Sequence, residues 1–159
     1  MPGPSRAAVA VVGPSRAEPH EVAAAEAVGG ALAERGAVLV CGGLGGAMEA
    51  ACRGAKAAGG TTVGILPGYD RRAANEFVDV AVATGLGDAR NAVIVRTADA
   101  VIAVGGAYGT LSEVALALAA GKKVIGLNTW TLATAKGPDE AIVLAGSPSE
   151  AVELALASR

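Results

Sequence analysis

With 159 residues, 52% hydrophobic and only 3% aromatic, the chain can bury a core without disulfides or metals, and that core must be built from Ala, Val, Leu and Ile. A formal net charge of −2 with scattered basic residues excludes a nucleic-acid footprint and leaves a small molecule as the expected partner. Mean hydropathy is +0.47, yet charges interrupt every apolar run before the ~18–20 residues of a membrane span, so no membrane partner is expected.

Residues 7–12, Ala-Ala-Val-Ala-Val-Val, form an apolar run of strand length that Gly13-Pro14-Ser15 breaks. This is the mark of a parallel strand buried on both faces rather than of a secretory leader. A helix is predicted over 19–35, with Pro19 at its first position, Glu18 and Glu21 at its positive end and Gly36 as its stop. His20, the only histidine, sits at that start, either as a base or as a solvated helix-terminal side chain. Residues 37–41 read as the second strand. The loop Gly42-Gly43-Leu44-Gly45-Gly46 follows, before a helix from Ala47-Met48-Glu49 to about Ala58. The loop either approaches a ligand or only turns strand into helix, because its spacing matches a dinucleotide fingerprint loosely. Cys41 and Cys52 lack metal-ligand company and read as reduced thiols of a cytoplasmic protein, with Cys41 beside the glycine turn also near any ligand there.

Gly59-Gly60 ends that helix and 61–66 is the third strand, so β-α-β-α-β order and right-handed crossovers imply one parallel sheet. Residues 67–84 are longer and more polar, with a short strand predicted at 77–82. Arg71 and Arg72 there are either solvated or in contact with substrate. A helix is predicted over 88–97 with Asp88 as its cap. Arg90 then falls in the first turn, where the helix dipole disfavours a cation. It either binds phosphate or carboxylate with Asn91 beside it, or pairs with Asp88 on the surface.

Strand 100–104 stops at Gly105-Gly106, and Ala107-Tyr108-Gly109 lead into a helix predicted over 110–120. The free N–H groups of such a start, with the positive end of its dipole, make an anion site. Glu113 either serves chemistry beside that anion or caps its own helix, since Thr110 to Glu113 has capping-box spacing. Strand 123–127 ends at Asn128, Thr129 and Trp130. The sole tryptophan either shields a ligand or fills a core edge or dimer contact. Residues 131–139 carry turn residues, 141–144 is a last strand, and Ser147-Pro148-Ser149-Glu150 combines a capping box with a first-position proline. The expected fold is one α/β domain over 1–159, a doubly wound, Rossmann-like, mostly parallel sheet with helices on both faces and its ligand at the strands' C-terminal ends.

These residues resemble the LONELY GUY (LOG) superfamily, often labelled lysine decarboxylase-like, and especially its molybdenum-cofactor-carrier-like branch. The anchors are Cys41 through Met48, Gly59 through Pro67, Arg90, and Gly105 through Glu113. LOG enzymes carry Pro-Gly-Gly-x-Gly-Thr-x-x-Glu and an upstream Arg-Lys-x-x-Met, and they hydrolyse the N-glycosidic bond of nucleoside 5′-monophosphates without a cofactor. Gly106, Gly109, Thr110, Glu113 and Arg90 match. Gly105 stands for the proline, Ala107 for a glycine, Asn91 for the lysine and Ile94 for the methionine. The resemblance implies a phosphate-bearing ligand, a nucleotide or a molybdopterin, that is either cleaved or only carried. It also implies a homodimer or higher homo-oligomer.

On that basis Arg90 and Glu113 are the expected catalytic residues. Ligand binding is expected of Gly13 and Ser15, of Gly42, Gly43, Gly45, Gly46 and Met48, of Asn91, and of Gly105, Gly106, Tyr108, Gly109 and Thr110. No metal ligands are expected. An NAD-dependent oxidoreductase fits less well, because the first strand ends in Gly13-Pro14-Ser15 and no acid follows the second strand to hold a ribose.

Overall fold

The computed structural model describes residues 5–158. Its first half runs β1 (Ala8–Val12), α1 (Pro19–Glu34), β2 (Val38–Cys41), α2 (Ala47–Ala57), β3 (Thr61–Leu66) and β4 (Val80–Ala83). The second half runs α3 (Arg90–Thr97), β5 (Ala100–Val104), α4 (Tyr108–Ala119) and β6 (Lys123–Leu127), then β7 (Leu132–Thr134), β8 (Gly137–Asp139), β9 (Ile142–Leu144) and α5 (Pro148–Leu156).

Seven strands form one sheet in the order β4-β3-β2-β1-β5-β6-β9, and every pairing in it is parallel. The chain winds from β1 to one edge, returns to β5 beside β1, and winds to the other edge. This is the doubly wound α/β fold, and its switch point lies between β1 and β5, where connections leave in opposite directions and open a crevice at the strands' C-terminal ends. β1 is covered on both faces. Val9 and Val11 pack with α1, α2 and α5, while Ala10 and Val12 pack with α3 and α4, which is why residues 7–12 show no polar alternation. The helical layer is held close by small residues: the Ala51 carbonyl of α2 occupies the space a side chain at Gly29 of α1 would need, and Gly54 stands likewise against the Glu26 carbonyl.

Several boundaries differ from those the sequence predicts. Residues 131–139 are not only turns, because β7 and β8 pair as an antiparallel hairpin. The short strand predicted at 77–82 lies at Val80–Ala83, in register with β3. Asp88 caps no helix. A 3₁₀ turn at Gly87–Ala89 runs straight into α3, fixed by a hydrogen bond from the Gly87 N–H to the Pro67 carbonyl at 2.9 Å. α4 begins at Tyr108 rather than Thr110, because Ala107 already has the extended backbone of a cap (φ −117°, ψ 171°) and its carbonyl accepts from the Leu111 N–H at 2.9 Å. Thr110 and Glu113 therefore sit deeper in the helix than a capping box requires.

Candidate functional site

At the switch point the loops after β1 and β5 and the starts of α2, α3 and α4 enclose a polar cavity of about 240 Å³. Gly13 and Ser15 line it from the β1 loop, Met48 from α2, Arg90 and Asn91 from α3, and Gly109, Thr110 and Glu113 from α4. The wall does not include Gly42, Gly43, Gly45 or Gly46, which form the turn between β2 and α2, nor Gly105, Gly106 or Tyr108. Pro14, Leu44, Asp88 and Ala107 line the cavity without having been expected to bind. Leu44 and Ala107 carry no chemical signal by which a sequence could have marked them.

The centre of the site is the first turn of α4. The N–H groups of Tyr108, Gly109 and Thr110 precede the first intrahelical bond, and alanine at position 107 has no side-chain oxygen to satisfy them. Thr110 is only 2% exposed, and its Oγ1 is buried without a hydrogen-bond partner among the described residues. A buried hydroxyl without a partner beside uncapped amides is a combination that a tetrahedral oxyanion can complete. The start is also held in place. Asn91 Nδ2 donates to Ser112 Oγ at 3.0 Å, and Ser112 Oγ donates to the Gly109 carbonyl at 3.0 Å, tying α3 to α4.

Glu113 lies a turn further along α4, 7% exposed. Burial pushes its carboxyl up to about 7, against the opposing pull of the Arg90 charge. Near neutral pH it therefore exists both as a donor and as an acceptor, the state a general acid or base needs. Arg90 makes no ion pair with Asp88 among the described residues; its Nη1 donates to the Gly42 carbonyl at 2.5 Å and to the Ile65 carbonyl at 2.6 Å. It thereby ties the C-terminal ends of β2 and β3 to α3. Its Nε is buried without a partner among the described residues, and burial pushes the guanidinium below its ordinary value while Glu113 opposes that.

Behind this wall Cys41 and Cys52 are free, fully buried and face each other, Sγ to Sγ at 3.4 Å. The hydrogen bond from Cys52 pulls the Cys41 thiol below its usual value, aided by the Gly43 N–H and Arg90 against the effect of burial. The same contact and burial push Cys52 up. His20 is exposed at the start of α1, and Arg72 pairs with Asp70 at 3.0 Å in the open. Among the described residues no group of three or more His, Cys, Asp or Glu could hold a metal, and no helix is long and apolar enough to cross a membrane. A larger hollow of about 560 Å³ opens at the opposite end of the sheet, by the N-terminal ends of β1, β5 and β6. Its lysines, Lys122 and Lys123, donate to backbone carbonyls of Ala98, Leu154 and Ala157, so it offers less to an anion.

Residues 6–152 match the model of the SLOG cluster4 family. The chain belongs to that family. An uncharacterized protein of Archaeoglobus fulgidus is 47% identical over 119 residues, which is 75% of this chain and 78% of its own. The molybdenum cofactor binding protein of the phototrophic bacterium Rippkaea orientalis superposes with a TM-score of 0.86 at 38% identity, over 94% of this chain and 95% of that one. The molybdenum cofactor carrier protein of Chlamydomonas reinhardtii superposes with a TM-score of 0.82 at 32% identity, over 94% and 96%. This SLOG protein thus stands in the molybdenum-cofactor-carrier-like branch of the LOG-like fold.

Within the SLOG chain, one departure from the hydrolase motif has a structural meaning. Gly105 has φ +69°, a conformation closed to the proline that LOG enzymes carry there, and the Glu21 carboxylate fills the space a side chain would need. The turn into α4 is therefore built on glycine.

Proposed function

We propose that this protein binds and carries a phosphate-bearing pterin of the molybdenum cofactor class, its phosphate seated on the first turn of α4. The observation that carries the reading is the Thr110 hydroxyl, buried and unpartnered among the described residues beside three uncapped N–H groups. A phosphate there accepts from the amides of Tyr108, Gly109 and Thr110 and from Thr110 Oγ1, in the field of the helix dipole. The proteins of Rippkaea orientalis and Chlamydomonas reinhardtii, similar over nearly the whole chain, bind or carry this cofactor, which supports the same cargo here. Arg90 holds the β2 and β3 ends that back the cavity, and Glu113 faces the part of the cargo next to the phosphate.

The test is a titration of purified protein with molybdopterin, or with GMP, whose guanine shares the pterin's aminopyrimidinone ring. Thr110→Val removes one hydrogen bond to a charged group and is expected to weaken binding roughly tenfold to a hundredfold. Equal affinity in the two proteins would place the phosphate elsewhere.

A second reading is a LOG-like phosphoribohydrolase, favoured by the single observation that Glu113 is poised near neutrality in the cavity. It requires release of free base from AMP or GMP by the wild-type protein and its loss in Glu113→Gln. Stable binding without base release sets the carrier apart.

A further inference from the structure

Resting on the phosphate reading, we propose that Tyr108 and Trp130 form a separate subsite, an aromatic platform that takes the flat ring system of the ligand and selects for ligands that have one. The polar cavity, about 240 Å³, is smaller than the ~300–1,000 Å³ usual for ligand clefts. On this proposal it takes the phosphate and the group joined to it, and the fused ring lies over its rim. That rim is the start of α4. Ala107 and Gly109 line the cavity, and Tyr108 between them points out, 82% exposed.

The ring surface at the rim is prepared in advance. Tyr108 and Trp130 lie with ring centroids 5.7 Å apart and planes tilted by 35°. Trp130 Nε1 donates to the Ala107 carbonyl at 3.1 Å, so the indole is tied to the helix start that receives the phosphate. Gly106 leaves room for it, since a side chain there would stand 3.2 Å from Nε1. The chain reaches Trp130 through Asn128, the one described non-glycine residue with positive φ, at +47°. It then passes Thr129, whose Oγ1 is buried without a partner among the described residues. The left-handed turn at Asn128, a conformation asparagine adopts readily, carries the chain out of β6 and sets Trp130 against the start of α4. Gly106, Asn128, Thr129 and Trp130 also share a shallow hollow on this side of the rim. An exposed tyrosine against a fixed indole gives a ring a place to stack at little cost in ordering.

The experiment compares GMP with ribose 5-phosphate, which carries the phosphate and sugar without a ring. Trp130 is the only tryptophan, so its fluorescence reports on this subsite alone. Both ligands are expected to bind by calorimetry, GMP more tightly, with GMP alone quenching Trp130. Tyr108→Ala, which keeps the amide of residue 108, is expected to weaken GMP roughly threefold to tenfold, one aromatic contact, and ribose 5-phosphate by less. Equal affinities of the two ligands, or a Tyr108→Ala protein that binds GMP as the wild type does, overturn the platform and leave the phosphate reading standing. Ribose 5-phosphate that fails to bind, or binds Thr110→Val as well as wild type, overturns the phosphate reading and this inference with it.

Discussion

Two helices start at the C-terminal end of the sheet's strands with opposite solutions to their first turns. α5 closes its own: Ser147 Oγ accepts from the Glu150 N–H at 3.2 Å, Glu150 accepts from the Gly146 N–H at 2.9 Å, and Pro148 has no N–H to satisfy. α4 leaves its first turn open. Ala107 has the same extended backbone as Ser147 but no oxygen, and the third helical residue is Thr110 where α5 has Glu150. The acid of α4 comes later, as the buried Glu113. Under the proposed function the contrast has a reason: the start of α5 serves only the fold and satisfies itself, and that of α4 leaves its donors and its hydroxyl for a ligand to satisfy.

Glu113 gives the largest test of that contrast. Its carboxyl titrates near 7 in the folded protein against an ordinary value of 4.5. Between those values the unfolded chain loses the proton while the folded one keeps it, so stability falls as pH rises and levels off above about pH 7. The loss amounts to about 3 kcal/mol. Glu113→Gln is expected to remove this slope and to be the more stable protein at pH 8, while the two converge towards pH 4. Parallel stability profiles from chemical denaturation at pH 5 and pH 8 would show that Glu113 is ionised in the fold throughout. Glu150, exposed and bonded to the Gly146 N–H, belongs to the closed helix start.

Much of the fold was legible because buried parallel strands are continuous apolar runs. Val9 to Val12 and Ala100 to Val104 announce themselves, and glycines such as Gly36 and Gly121 mark the ends of the helices between them. The hairpin of β7 and β8 was not, since three-residue strands around Gly137-Pro138 look like turns until they pair. The start of α4 is hidden in the sequence for a different reason. Thr110 to Glu113 imitates a capping box, and the true start depends on the backbone at Ala107, whose carbonyl also accepts from Trp130, 23 residues away. At the site, the convergence of Gly13, Arg90, Thr110 and Glu113 follows from strand order, which the sequence pattern implies. The capture of Arg90 by the Gly42 and Ile65 carbonyls does not, because a backbone acceptor 48 or 25 residues away leaves no mark in residue type.

Exchanging the two solutions gives smaller but sharper effects. Ala107→Ser places a hydroxyl on a residue that already has capping geometry, within reach of the amides proposed to hold the phosphate. It is expected to raise stability by about 1 kcal/mol and, by competing for those amides, to weaken GMP binding. A gain in stability with unchanged affinity would show that the first turn of α4 is not where the phosphate sits.

The reverse exchange at α5 is the control and the smallest effect. Ser147→Ala removes the cap that accepts from Glu150, and it is expected to cost about 0.5–1 kcal/mol in denaturant unfolding. Ligand affinity should not change. Ser147 lies outside the polar cavity, and the helix it caps packs on the opposite face of the sheet from α4. If Ser147→Ala weakened GMP binding as much as a substitution at α4 does, the open first turn would be reporting general loosening of that end of the sheet. Opposite signs for stability at the two caps, with affinity moving only at Ala107, are what a helix start kept open for a ligand requires.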